Sequence, residues 1–345
     1  MLVANYYSNK DIRLEERPIP QIDEGECLIK IQASGVCGSD LMEWYRKDRI
    51  PVVLGHETAG EIIEVGKGVK HLKTGDRVVA SHHVPCLECR HCRRGHETMC
   101  QTLLSTTFDP GGFSQYVRLP KINTRLGVFP IPENVTYEEA SFAEPLACVL
   151  RGQNRVNLSA GDSVAVIGSG ISGILHIALA KVREADCIIA ADINKNRLPW
   201  AQKFGADRVT EDANALASMV MKQTGRKADI VILTTGHPEA VQAGFEAADE
   251  GATVLLFAPS DPDTTVQIDI NKLFFKHDRT VTTTYANSPN DLKEALKLIS
   301  EKKIPVADMI THRIPLDEIQ YGFDLVQNGL ESLKVIVEPN RIPNS

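Results

Sequence analysis

The sequence predicts an α/β protein in which a doubly wound parallel-sheet domain is inserted into a β-rich domain. Three observations predict this. Residues 1–151 alternate short β-prone runs with Gly- and Pro-containing turns. Residues 152–286 alternate apolar strand-like runs with helical stretches, the pattern of a parallel sheet covered on both faces. The segment 287–345 returns to the first texture at its end. The expected domains are therefore 1–151 with 287–345, and 152–286. A chain of 345 residues is long enough for each to bury its own core.

In the first domain, strands are expected at 26–32, 58–65, 77–80 and 113–117, and Gly75-Asp76 supplies a strand connector. In the second, strands are expected at 163–167, 187–191, 229–234, 253–257 and 280–284, with helices at 171–182 and 240–248. A polar stretch, 287–291, opens a helix over 292–302, and 334–337 reads as a final strand.

A net charge of -7 argues against a nucleic-acid or anionic-membrane surface and leaves small-molecule chemistry as the expectation. Charges break up the N-terminal stretch MLVANYYSNKDIRLEE, so it reads as neither a secretory signal nor a membrane span, and a cytoplasmic location is expected.

Four of the eight cysteines fall within fifteen residues, as Cys86-x2-Cys89-x2-Cys92-x7-Cys100. Two-residue spacers let successive thiolates converge on one ion, and four sulfurs close a tetrahedral zinc shell with no open position. Such a site is structural. An iron–sulfur cluster also takes four thiolates at close spacing.

A second group of ligand-type residues lies upstream: Cys37-Gly-Ser39-Asp40 and Gly55-His56-Glu57, to which Ala143-Glu144-Pro145 adds an acid in an apolar stretch. Burying that acid is costly unless it is paired or metal-bound.

Strand 163–167 runs into Gly168-Ser-Gly170-Ile171-Ser172-Gly173 and then into a helix, and Asp192 follows about twenty residues after the first glycine. Glycines in this context permit a tight turn and a close approach of a pyrophosphate to the helix N-terminus. Asp192 would bind the adenosine ribose hydroxyls and repel a 2′-phosphate, which favours NAD over NADP. Arg197, five residues on, is a cation that could meet a phosphate.

Taken together and in this order, these segments resemble the zinc-containing medium-chain alcohol dehydrogenases, over essentially the full length. The resemblance is greatest to the branch of sorbitol and other polyol dehydrogenases and threonine dehydrogenase. Gly111-Gly112-Phe113 and the ending Lys334-Val-Ile-Val-Glu-Pro also match. The resemblance implies a GroES-like catalytic domain and a Rossmann domain binding NAD, with two zinc ions per chain. It implies Cys37 and His56 as ligands of a catalytic zinc, Glu144 in place of a second cysteine as the third or water-bridged ligand, and Glu57 as an adjacent carboxylate able to replace it. Asp40 would fix the His56 tautomer and Ser39 would accept the substrate proton. Thr235, Ala258 and Thr284, after later strands, would line the cofactor, and Arg197, at the end of Asp192-Ile-Asn194-Lys-Asn-Arg197, would pack along the adenine side as in NAD-using relatives.

The implied reaction is oxidation of a secondary alcohol of a polyol, cyclitol or sugar (phosphate). Oxidation of an amino alcohol such as threonine is the alternative within enzymes, and a catalytically inactive NAD-binding zinc protein the alternative outside them. A homodimer or homotetramer is implied. Two departures stand out. Met42 occupies a position where many relatives carry a proton-relaying histidine, and the stretch from Cys37 to His56 is shorter than in many of them.

Overall fold

The computed structural model describes residues 1–341, which divide into two compact units, Met1–Ala147 with the segment from Ala286, and Cys148–Tyr285. The first boundary falls inside the helix Ala143–Arg155, which the sequence pattern had not indicated.

The first unit is built on a seven-stranded sheet. Ile310–Pro315, Lys334–Glu338, Cys27–Gly35, Glu57–Val65, Arg77–Ala80 and Val128–Pro130 lie side by side in that order, and Tyr116–Leu119 also pairs with Cys27–Gly35. The expected strand at 113–117 is thus shifted to Tyr116–Leu119. A smaller sheet joins Leu2–Ser8 to Asp11–Glu16 and Val52–Val53. Alternation along Cys27–Gly35 puts Cys27, Ile29 and Ile31 into one core with Ile62, Val78 and Leu119. Burying each such aliphatic side chain contributes roughly 1.5–3 kcal/mol. Gly75, with φ of 91°, makes the turn ahead of Arg77–Ala80, a backbone state that costs glycine nothing.

Antiparallel register sets up the site. Gly35 pairs with Glu57 and Ser34 with Thr58, so the residues just beyond one strand face those that begin the next. Thr58 pairs with Ala80 on its other side, and Gly35 pairs with Ile336 of the final strand.

The second unit carries a six-stranded, all-parallel sheet in the order Arg208–Thr210, Cys187–Ala191, Ser163–Ile167, Ala228–Leu233, Ala248–Leu256, Thr280–Thr283. The chain starts in the middle, builds to one side, then crosses to the other. That reversal leaves a crevice at the carboxyl ends of Ser163–Ile167 and Ala228–Leu233. Both strands are almost wholly buried, as a sheet covered on two faces requires. The helix Ile171–Val182 occupies its expected range. Helices Leu216–Thr224 and Ile319–Asn328 were not anticipated, and Ser288 with Asp291 forms a capping box that starts a helix at Pro289–Ser300. No helix among the described residues is long and apolar enough to cross a membrane.

Candidate active site and metal centres

Cys37 lies two residues past the end of Cys27–Gly35, and His56 immediately precedes Glu57, which opens the strand paired with it. Ligand atoms of these three residues all lie within 4.8 Å of one another. Asp40, wholly buried in the 3-10 turn Gly38–Leu41, accepts from the Cys37 N–H at 3.0 Å and places Oδ1 3.4 Å from His56 Nδ1. With Nδ1 beside a carboxylate, Nε2 is left for an ion. Burial disfavours the Asp40 charge, yet His56 and then Arg46 outweigh it and hold the carboxyl below the usual range. Ser39 Oγ donates to Cys37 Sγ at 3.4 Å.

Glu57 is 1 % exposed, and the ammonium of the equally buried Lys334 closes on its Oε2. Oε1 of Glu57 is buried without a hydrogen-bond partner. An orphaned carboxylate oxygen beside a thiol and an imidazole is a donor set that suits zinc, so the residues present fit the ion. Glu144 is not part of the trio. It sits in the first turn of Ala143–Arg155, and its Oε1 accepts from Asn287 Nδ2 at 2.9 Å. Glu43 is likewise directed elsewhere, its Oε1 accepting from the Asn9 N–H at 2.7 Å.

Sequence reading missed His82, His83, Arg46 and Lys334. The register that pairs Thr58 with Ala80 carries His82 opposite His56, with ring centroids 4.9 Å apart. The His82 and His83 rings lie tilted to each other with centroids 3.8 Å apart, and His83 Nδ1 lies 2.6 Å from the Thr106 carbonyl. Burial pushes His82 well below the ordinary imidazole value and His83 down to about 4, so both are neutral near pH 7. The doubled histidine just ahead of the four-cysteine loop was the available signal. A lysine inside the apolar run 333–337 was the signal for Lys334.

The second cluster, Cys86, Cys89, Cys92 and Cys100, is gathered as its spacing implies. Sulfur separations are 3.5 Å for Cys89–Cys92, 3.6 Å for Cys86–Cys100 and 4.0 Å for Cys86–Cys92. A tetrahedral shell with zinc–sulfur bonds of about 2.3 Å has edges of about 3.8 Å, so four thiolates here fit a structural zinc.

In the second unit, Gly168 follows strand Ser163–Ile167, and Gly170 is the N-cap of the helix that begins with Ile171 and Ser172. A side chain at Gly168 would overlap Thr234 Oγ1, and one at Gly173 would overlap the Gly168 carbonyl. At Gly170 only the Arg197 guanidinium lies near, no closer than 3.8 Å, so the backbone over the helix N-terminus is open to a pyrophosphate. Asp192 Oδ2 accepts from the Ser169 N–H at 2.6 Å and Oδ1 from the Asn194 N–H at 2.8 Å. Arg197 Nη1 stands 3.6 Å from Asp192 Oδ2, so the cation is paired with the acid as well as lying over the glycine loop. Thr235, Ala258 and Thr284 each follow a parallel strand at its carboxyl end, and Thr284 Oγ1 is buried without a partner. A cradle of this shape fits a dinucleotide.

A GroES-like unit with a ligand trio and a four-thiolate loop, together with a parallel-sheet unit carrying a glycine loop, defines a zinc-dependent dehydrogenase. Residues 23–133 match the family model for the alcohol dehydrogenase GroES-like domain, and residues 172–301 that for zinc-binding dehydrogenase. The chain is 31% identical to sorbitol dehydrogenase of Gallus gallus over 95% of its length and 93% of that protein. It is 35% identical to L-threonine 3-dehydrogenase of Bacillus subtilis (strain 168) over 94% of each. A solved zinc-binding dehydrogenase from Sinorhizobium meliloti 1021, bound to NADP, superposes with a TM-score of 0.87 at 28% identity, covering 98% of this chain and 99% of that one. Another solved homologue holds NADH. The chain belongs to the zinc-containing medium-chain alcohol dehydrogenase family, and its cofactors are zinc and a nicotinamide adenine dinucleotide.

Proposed function

We propose that the protein oxidises a secondary alcohol of a polyol, cyclitol or sugar to the ketone, with NAD as hydride acceptor. The observation that carries this reading is the Cys37–His56–Glu57 trio on paired strand ends, in a chain whose relatives include a sorbitol dehydrogenase. Zinc, when bound, supplies Lewis-acid polarisation of the alcohol oxygen, and NAD supplies the hydride acceptor. Cys37, His56 and Glu57 would hold the metal. Glu144, anchored by the Asn287 amide, is assigned the water-bridged position. Asp40 orients the His56 ring through Nδ1. Ser39 Oγ takes the proton from the substrate hydroxyl and passes it to solvent, since the Met42 thioether cannot accept one and Glu43 is tied to Asn9. The neutral rings of His82 and His83 add hydrogen-bonding groups beside the trio, in keeping with a polar substrate.

A preference for NAD over NADP rests on Asp192, which presents a carboxylate at the end of its strand. Oxidation of an amino alcohol is the second reading, because a threonine dehydrogenase relative is 35% identical, against 31% for the sorbitol dehydrogenase. We further propose a cytoplasmic homo-oligomer. Its support is the edge strand Thr280–Thr283 of the parallel sheet, near which Phe274 and Phe275 are 61% and 60% exposed.

Three measurements test the proposal. NADH formation across polyols, inositols, sugar phosphates and amino alcohols decides the substrate, and turnover confined to amino alcohols replaces the first reading by the second. Metal analysis should return two zincs per chain; one zinc, confined to the four-cysteine loop, overturns the catalytic site. Light scattering that returns a single-chain mass removes the oligomer.

A further inference from the structure

Arg46 is the last residue of the short helix Glu43–Arg46, in the stretch between Cys37 and His56. Its neighbours in that stretch, Lys47 and Arg49, are exposed, yet its own side chain is only 13% exposed. Nη2 donates to the Ser39 carbonyl at 3.2 Å and stands 3.9 Å from Asp40 Oδ1, the same oxygen that lies 3.4 Å from His56 Nδ1. The guanidinium carbon is 4.7 Å from the centre of the Tyr45 ring, which holds it inward. Its Nε is buried without a hydrogen-bond partner. A solvated loop cation would not give up water at that nitrogen, so the side chain is committed to the turn beneath it.

We propose that Arg46 is a positioning residue for the catalytic metal, clamping the Ser39–Asp40 turn so that Asp40 holds the His56 ring in its metal-binding orientation. The chain of contacts runs from guanidinium to carboxylate to imidazole, and its second branch fixes the backbone of Ser39. Asp40 has no exposed surface through which water could orient it, so the orientation must come from protein groups. One nitrogen, Nη2, serves both the carbonyl and the carboxylate, and the guanidinium plane against Tyr45 fixes its place, whereas a lysine ammonium keeps the charge without that plane. The inference rests on reading Cys37 and His56 as metal ligands.

The test uses the two-zinc enzyme and its cobalt-substituted form, with Arg46→Lys, Arg46→Met, Asp40→Asn and the Arg46→Met/Asp40→Asn double variant. The readouts are the amount of each metal retained against a chelator and the cobalt absorption spectrum. Arg46→Met should weaken retention at the catalytic site roughly 10–100-fold, the range for lost outer-layer partners, and shift the cobalt spectrum. Metal in the four-cysteine loop and NAD binding should stay unchanged. Arg46→Lys should restore part of the loss, and Arg46→Met should add little once Asp40 is already Asn. Equal effects of Arg46→Met in both backgrounds, or wild-type retention and spectrum, overturn the proposal. Should Arg46→Met fail to fold, Arg46→Gln decides, because an unchanged spectrum and retention in it overturn the proposal. A wild-type enzyme that binds only one zinc would instead sink the ligand reading, so the two failures are distinct.

Discussion

Lys334 and Glu57, 277 residues apart in the chain, form a buried ion pair behind the ligand trio. The ammonium also donates to the Val36 carbonyl at 3.1 Å, so one cation ties the final strand to both segments that carry Cys37 and His56. Space for the pair exists because residue 35 is glycine: a side chain there would overlap the Glu57 carboxylate and come within 2.7 Å of Lys334 Cε.

In the metal-free chain, replacing Lys334 by Met leaves Glu57 as an unpaired buried charge, which costs about 3–5 kcal/mol. Denaturant unfolding should show that loss, and the Lys334→Met/Glu57→Gln double variant should recover most of it. Gly35→Ala should lower both stability and zinc content. Wild-type unfolding of Lys334→Met would show that the pair contributes nothing.

Asp192 anchors two backbone N–H groups of the cofactor cradle as well as facing the expected ribose position. Asp192→Ala should therefore weaken NAD by roughly tenfold or more, since charge-assisted hydrogen bonds are each worth about 1.5–3 kcal/mol. NADP should be affected far less. Fluorescence titration with both nucleotides measures this, and equal losses would remove the basis for preferring NAD.

Cys89→Ser should release one zinc per chain and lower the melting temperature while leaving NAD binding intact. Chemistry should suffer only as the fold does, because the four-thiolate cluster keeps no open position. Metal analysis with calorimetry tests it; a variant equally stable but inactive would assign the loop a direct part in the reaction.

His176 should make the protein sensitive to acid. Burial in the helix Ile171–Val182, with a smaller contribution from Arg183, drops its imidazole to about 3, against an ordinary 6.5. Gln153 Nε2 lies 3.4 Å from its Nδ1 and Phe257 packs edge-on at 4.5 Å, neither of which helps it carry charge. Between those two values the unfolded chain binds the extra proton, so stability falls as pH drops below about 6.5, by up to about 1.4 kcal/mol per unit. His176→Gln should flatten that slope in unfolding measured from pH 7 to 4; an unchanged slope would place the acid sensitivity elsewhere.

Much of the second unit was legible because its signals are local. The apolar run Ser163–Ile167, the glycines after it and Asp192 sit in one strand–loop–helix–strand stretch, where backbone geometry follows from nearby residues. The helices Leu216–Thr224 and Ile319–Asn328 escaped notice, since the first is short with alanine and methionine on its face and the second mixes Gly and Asp into its pattern.

By itself the sequence determined the four-cysteine cluster and the glycine cradle, because each is written as residues at short, chemically demanding spacing; Cys37 and His56, nineteen residues apart, were joined by the family resemblance. Only the tertiary structure decided which carboxylate joins them. Strand register places Glu57 beside Cys37 and His56, while Glu144, on the helix Ala143–Arg155, is paired with Asn287. It also brings up His82 from the neighbouring strand and Lys334 from the chain's far end, and the folding of the loop between Cys37 and His56 turns Arg46 inward onto Asp40. The physical reason is that ligand spacing is a property of consecutive residues, whereas the partner that a buried charge requires comes from whatever segment the fold brings to it, as Lys334 reaches Glu57 across the intervening strand Cys27–Gly35.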